Sequence, residues 1–435
     1  MTTNSPFLTD LDTRAAVKGS RDPLGVQSIW TKLGRQVVGN LTTVTTSVRD
    51  FTTLLLGYHY AARISEAGGD HSELAVFLKW EQLAAYSRGY VNDDWGFRGV
   101  ERVKARMASN LRVRLSADSS GQILSNQKTY GLWGLFSVSA RSSGLLAGEP
   151  ARLTPGAADF VQREYLGTIQ SGKPGDGRHL LDLLREPVSS VDLDGRDRQL
   201  AREVAGMLKP RLRAAEIPFY REYLLNGGPE DSTKGCQPLL ARLFDTIGDV
   251  GELSPSLLAG LVKAAEAEGE LGQTLAFHLG RIRTAESLLA PCAALFDFML
   301  GQNDMALPEL AAIIAKQWSA NTKTVNIAGL KEMISDLGNN GRDDGEGDRW
   351  LQTAQALAAG DYETAVKLLL DQNRAVMLSR GGAPWAVLEK NKLQVRVRDE
   401  TAVLPALEDL PHLWRHSYFL DSLRAVSLQL KGENA

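Results

Sequence analysis

Cysteine is almost missing from this chain, with Cys236 and Cys292 the only two among 435 residues. Two thiols cannot build a disulfide framework, and without a Cys-x-x-Cys spacing they exclude the common zinc and redox arrangements. A reduced, cytoplasmic setting is the expectation. Long apolar runs are missing as well. The nearest, TLLLGYHYAA, falls short of the roughly 18 to 20 continuous apolar residues that a membrane helix needs. The polar opening MTTNSPFLTDLDTRAAVKGSRD lacks the apolar stretch of a secretory signal, so no membrane partner is expected. Charge of one sign is not in excess either. A formal net charge of -3 excludes a global polyanion binder, and any nucleic-acid contact must then come from a local basic patch. Catalytic signatures are equally scarce. The glycine-rich piece SGKPGDG lacks the Gly-Lys-Ser/Thr ending of a phosphate-binding loop, and no Ser-His-Asp set stands out from chance. Chemistry, if there is any, is assigned to a partner and no cofactor is expected.

What is present is an ordinary globular composition. With 43% hydrophobic and 23% charged residues the chain can bury a sizeable core, and its length allows two to four domains. The richness in Ala, Leu, Gly and Arg has the look of a bacterial chain from a GC-rich genome. The predicted fold is mainly α, a multi-helical protein with an embedded winged-helix domain and a short C-terminal β-hairpin.

Along the chain, residues 1–22 read as a flexible N-terminus and 23–95 as an N-terminal helical segment. There Trp30, Val37, Val44, Phe51 and Tyr58 recur every seven residues, with Leu33, Leu41, Val48 and Leu55 three or four positions behind them. That is a helical apolar stripe despite the Thr and Val content, because a strand would need alternation. The stripe reads as core first and as a self-association surface, over 26–63, second. Ser72 is the expected N-cap of a following helix. Residues 96–170 form the winged-helix-like region, SGKPGDGR (171–178) reads as a linker, and 179–337 form a helical domain. A Gly- and charge-rich linker covers 338–349. In 350–435, GDYETAV marks an αα-hairpin, WAVLEKNKLQVRVRD a β-hairpin turning near Lys390 and Asn391, and WRHSYFLDSLRAVSLQL an amphipathic helix.

The stretch SGLLAGEPARLTPGAADFVQREY, residues 143–165, carries the sharpest signal. GVERVKARMASN supplies an earlier helix and KTYGLWGLFSVSAR the helix before a hairpin. Gly144 ends that helix, LL and ARL form two strands, and Thr154-Pro155 cap and open the next helix. This order resembles the end of winged helix-turn-helix domains in bacterial regulators, over about 70 of the 435 residues. Between Gly96 and Arg163, ten basic residues face four acidic ones, a local net of +6. The resemblance implies duplex DNA as a partner, with Arg106, Arg112, Arg114, Lys128, Arg141 and Arg152 on phosphates. YGLWGLFSV is too apolar to read base edges in a major groove, so weak sequence selectivity is predicted.

The function that follows is a non-enzymatic DNA-binding accessory or adaptor subunit of a bacterial multi-protein system, in genome maintenance or phage defence. Its protein partners would include an ATPase or a nuclease. An interaction scaffold without DNA binding is the first alternative. The second is a metal-dependent hydrolase: His412 and His416 are four apart and would share a helix face, with Glu408, Asp409 or Asp421 completing a site. No glutamate sits between them as in His-Glu-x-x-His, and Pro411 puts His412 at a helix start, so these histidines are predicted not to be ligands.

Overall fold

The computed structural model describes residues 22–68, 72–166, 177–247, 252–319, 325–338 and 345–431. The expected flexible start, most of the linker at 171–178 and the middle of that at 338–349 lie outside these residues. Among the described residues the chain forms eighteen α-helices and six short strands, a mainly helical protein. No helix among them is long and apolar enough to cross a membrane.

In chain order the elements are α1 (Val26–Gly34), α2 (Val48–Glu66), α3 (Glu73–Asn92), α4 (Val100–Ser109), β1 (Arg112–Ser116), α5 (Gln127–Tyr130), α6 (Leu132–Ser142), β2 (Leu146–Ala147) and β3 (Arg152–Leu153). Then follow α7 (Pro155–Glu164), α8 (Gly177–Arg185), β4 (Val188–Asp192), α9 (Arg198–Met207), α10 (Glu216–Tyr220), α11 (Cys236–Ile247), α12 (Pro255–Glu266) and α13 (Gly269–Met299). The last are α14 (Leu307–Trp318), α15 (Ile327–Glu332), α16 (Glu346–Ala359), α17 (Tyr362–Ser379), β5 (Ala386–Glu389), β6 (Lys392–Val395) and α18 (Leu420–Gln429). Contacts divide the chain into two compact units, each drawn from separated stretches: Met1–Val37 with Val250–Tyr418, and Val38–Asp249 with Phe419–Ala435.

The 38–249 unit is centred on α2 and α3, which bury nearly every face. Phe51, Leu54, Leu55 and Tyr58 of α2 and Phe77, Trp80 and Leu83 of α3 are all buried; Tyr58 meets Phe77 edge-on at 5.3 Å, and Trp80 Nε1 donates to the Thr53 carbonyl at 2.8 Å. The seven-residue stripe is buried at Val37, Phe51 and Tyr58 and half-buried at Trp30 and Val44, and it is not one helix. Residues 35–47 break it, because Asn40 turns its amide inward to the Tyr223 carbonyl (3.0 Å) and Ser143 Oγ (3.0 Å), and Ser47 begins α2 afresh by accepting from the Asp50 amide at 3.3 Å. Paired strands do not form across Thr42–Thr53. The chain's end returns to this unit, with Ser422 Oγ donating to the Thr42 carbonyl (2.6 Å) and Gln429 Oε1 accepting from the Val48 amide (3.0 Å). Only Leu420–Gln429 of the expected C-terminal amphipathic helix is helical, since Tyr418 and Phe419 take positive φ and interrupt the pattern.

In the other unit, α12 and the 31-residue α13 form the longest helical pair. The αα-hairpin stands as expected: α16 ends on Gly360 at φ 72°, and Asp361 caps α17 by accepting from the Thr364 amide at 3.1 Å. The β-hairpin is there too. Lys390 and Asn391, at φ 50° and 61°, are its two turn residues, the backbone signature of the turn that matches strand twist.

Candidate nucleic-acid interface

Of the helix, hairpin and helix expected over residues 128–164, the first helix forms as two, α5 and α6, broken at the extended Gly131, while β2, β3 and α7 follow as expected, and the reason is local. Gly144 takes φ 74°; its amide bonds the Arg141 carbonyl at 2.9 Å and the Leu145 amide reaches the Ala140 carbonyl at 2.8 Å, so α6 closes on a left-handed C-terminal turn with Leu145 buried behind it. A Cβ at Gly144 would come within 2.5 Å of the Pro229 ring. β2 and β3 pair Leu146 with Leu153 and Ala147 with Arg152. Thr154 precedes Pro155 at the start of α7 as expected, but its hydroxyl donates back to the Gly144 carbonyl at 2.8 Å instead of accepting from α7.

Across its other face α6 is fixed to the unit's core. Phe136 meets Phe51 edge-on at 5.2 Å, Trp133 stacks on Tyr58 at 4.9 Å, and Tyr58 Oη bonds Ser137 Oγ at 2.8 Å. At the start of α6, the buried Glu81 of α3 accepts from the Leu132 amide (2.8 Å) and from Gln127 Nε2 (2.8 Å), while the Gln82 side chain pairs with both backbone groups of Ser116. One turn of α3 thereby positions α5, α6 and β1 together. Burial pushes the Glu81 carboxyl up to about 7 despite these donors.

The six expected phosphate contacts fall into two groups. Arg106 spends its guanidinium on the carbonyls of Ser120 (2.8 Å), Gly121 (2.7 Å) and Gln122 (3.0 Å), holding the loop before α5. Arg141 forks onto the Gly148 carbonyl and Glu149 Oε1, both at 2.9 Å, and so ties α6 to the hairpin turn. Arg152 grips Glu73 of α3 with two bonds of 2.8 and 2.5 Å. These three work inside the unit. Arg112, Arg114 and Lys128 are exposed instead. Arg112 and Arg114 lie on the outward side of β1, touching Ser190 Oγ at 3.3 Å and Asp118 at 3.4 Å, and Lys128 meets no polar partner among the described residues. β1 pairs antiparallel with β4, Arg112 opposite Asp192, and not with the β2–β3 hairpin. No strand at 188–192 was predicted, since its partner lies 76 positions away and VSSVD carries no turn signal linking the two.

Sequence reasoning also missed three exposed groups in residues 96–142. Tyr130 is 51% and Val138 62% exposed, and the exposed Arg98 donates from Nε to the Tyr130 carbonyl at 2.9 Å. Inside an apolar string such as YGLWGLFSV, periodicity alone cannot say which residues face out when a four-residue helix breaks against the next at Gly131.

The two histidines do not share a helix face. His412 ends a 3-10 turn, Leu407–His412, and is exposed; His416 lies in the extended stretch beyond it. Its Nδ1 bonds Oε2 of the buried Glu286 at 2.8 Å, and the same carboxylate takes Tyr418 Oη at 2.8 Å and the Arg415 amide at 2.6 Å. His416 is therefore part of a clamp that holds the 413–418 segment to α13. The helical geometry on which a hydrolase site would rest is absent, and among the described residues no group of three or more His, Cys, Asp or Glu is placed to hold a metal. Compared with protein-family models, with curated proteins and with solved structures, the chain matches none.

Proposed function

We propose that residues 96–166 act as a winged-helix-type module that contacts the phosphates of DNA, and that the chain serves as a non-enzymatic accessory subunit of a larger assembly. The observation that carries this reading is the helix, short hairpin and helix of α6, β2, β3 and α7, set in a segment, residues 96–166, where ten basic residues outnumber five acidic ones, a net charge of +5. The contact surface is drawn from the exposed cations Arg112, Arg114 and Lys128. Arg106, Arg141 and Arg152 support it from within by fixing the loop, the hairpin turn and the hairpin's seat on α3. The outward residues of α6 include Gly134 and Val138, which offer no hydrogen bond to a base edge. Binding of this kind neutralises phosphates without reading sequence.

Duplex binding measured at two salt concentrations tests it. Each lost phosphate contact should lower the slope of log affinity against log salt by about 0.9 on any sequence. Arg112→Ala with Lys128→Ala should do so, with the unfolding midpoint unchanged. A wild-type chain without duplex binding at ~50 mM salt, where the counterion term is strong, removes the proposal in favour of an interaction scaffold.

A further inference from the structure

We propose that the open edge of β5, with the stripe of α17 beside it, is a docking groove that takes an extended, acidic peptide segment of a partner protein as an added strand. Both elements belong to the unit of Met1–Val37 and Val250–Tyr418, so this groove is independent of the DNA-contact reading. A groove of about 260 Å³ runs between them. On the helix side its wall is Lys367, Leu370, Asp371 and Arg374, which are spaced i, i+3, i+4 and i+7 and so form one stripe of α17. On the strand side it touches three consecutive residues, Ala386, Val387 and Leu388. Neighbours in a strand point to opposite faces, so a groove that touches all three follows an edge of β5 and not one face. β6 fills one edge, which leaves the other. Main-chain pairing shows that this other edge is bare. The Arg396 amide donates to the Trp385 carbonyl at 2.7 Å; with the register of the hairpin, this turns residues 385, 387 and 389 toward β6 and directs the N–H and C=O of Ala386 and Leu388 away from it. Leu393, at the matching outward position of β6, is satisfied: it accepts from the Asp304 amide at 2.6 Å and donates to the Met305 carbonyl at 2.9 Å. β5 has no second neighbour among the described residues.

A bare edge alone is an ordinary feature, since short edge strands are common. Backbone chemistry and charge decide what fills this one. Outward N–H and C=O groups along a strand are answered by another extended backbone, which neither a helix nor a compact small molecule supplies. The groove's 260 Å³ also falls below the roughly 300 to 1,000 Å³ of small-molecule pockets. Lys367 and Arg374 are exposed; Arg374 has no ion pair among the described residues, and Lys367 has only Glu363, at 3.9 Å. The two cations stand two helical turns apart, about 10 Å along the axis, with Asp371 between them. The net positive charge of the wall therefore favours acidic side chains toward the ends of the segment. Buried Leu370 and half-buried Val387 give the residue between them an apolar lining.

The test titrates the full chain into short, capped, fluorescein-labelled peptides and reads anisotropy. One peptide alternates valine and glutamate, a second has lysine for glutamate, and a third is the glutamate peptide N-methylated at its central amides. Main-chain bonds supply the affinity in strand addition, so a generic extended sequence suffices. The glutamate peptide should bind and the lysine peptide should not. N-methylation should weaken binding by about 5- to 150-fold, the cost of a backbone hydrogen bond left unmade. Lys367→Ala with Arg374→Ala should weaken the glutamate peptide by about 2- to 30-fold, the worth of two exposed ion pairs. Leu388→Pro removes an outward N–H without taking a bond from β6 and should also weaken it, with the urea midpoint unchanged as the sign of an intact fold. No binding of the glutamate peptide by ~1 mM, a bare −4 kcal/mol or so, overturns the proposal, as does equal affinity for the N-methylated form. Equal affinity for the lysine peptide removes the acidic partner. A dimer in solution that Leu388→Pro splits overturns it in favour of a second copy of the chain on the same edge.

Discussion

Glu216→Gln should cost unit 38–249 about 3 to 5 kcal/mol, the usual effect of stranding one member of a buried ion pair. Glu216 is fully buried and the side chain of Arg49 is 5% exposed; Arg49 Nη1 lies 2.6 Å from Oε1 and Nη2 3.2 Å from Oε2. Desolvation alone would depress the Arg49 pKa, yet it is raised, because the bond to Glu216 and its charge outweigh the burial. The carboxylate also accepts from the Arg213 amide at 2.5 Å and from the Tyr165 hydroxyl. Glutamine keeps the volume but presents an NH2 to donors and leaves the guanidinium without a counter-charge. The remaining acceptors of Arg49, Thr52 Oγ1 at 3.2 Å and the Met207 and Arg211 carbonyls at 3.4 Å each, are neutral and long. Hydrogen exchange of peptides from 48–66 across a urea series reads this region apart from the rest of the chain. At roughly 3 kcal/mol per M in urea, the midpoint should drop by about 1 to 2 M. Arg49→Leu combined with Glu216→Leu should recover most of the loss, since replacing both partners by apolar groups is often near neutral. A loss below about 1 kcal/mol for Glu216→Gln would refute the reasoning and mean that water reaches Arg49.

The other predictions concern the same unit. Glu81 has its folded pKa raised from 4.5 to about 7 by burial, so its unfavourable term is absent below the unfolded value and stability is lost as pH rises from 4.5 through 7; Glu81→Gln should flatten that part of a stability-versus-pH curve, and an unaltered curve would discount burial as its cause. Gly144→Ala should destabilise by at least 1 to 2 kcal/mol, from the left-handed backbone and the approach to Pro229; an unchanged melting temperature would contradict this. Phe51→Asp should unfold the α2 region by burying an unpaired charge, at several kcal/mol, visible as lost helical circular dichroism. Glu149→Gln removes the charge from one of the two bonds that hold Arg141 at the hairpin turn and leaves that to the Gly148 carbonyl, so the duplex salt slope should be unchanged; a slope raised by about 0.9 would mean that Arg141 reaches a phosphate instead of supporting the turn.

The sequence by itself determined the features whose causes lie within a few residues of each other. Gly144 followed by Leu145 ends α6 because only a residue free to take positive φ closes that turn. Lys390-Asn391 makes the β5–β6 hairpin, and Gly360-Asp361 stops one helix and caps the next, by chemistry of the same range. Burial of most of the stripe, at Leu33, Val37, Leu41, Val48, Phe51, Leu55 and Tyr58, was legible from its period, though the period could not show the break at 35–47, which leaves Val44 half-buried and which Asn40 makes by reaching carbonyls about 180 residues away. Tertiary structure decided what distance in the chain conceals. It paired β1 with β4, grouped the two ends of the chain with separate units, and set Glu286 against His416 where a helical reading had offered a metal site. It also sorted the basic residues. Arg106, Arg141 and Arg152 look the same in sequence as Arg112, Arg114 and Lys128, and charge counts treat them alike. Whether an arginine is available depends on which carbonyl or carboxylate the fold brings within about 3 Å of it, the range of a real hydrogen bond, and that is set by long-range packing.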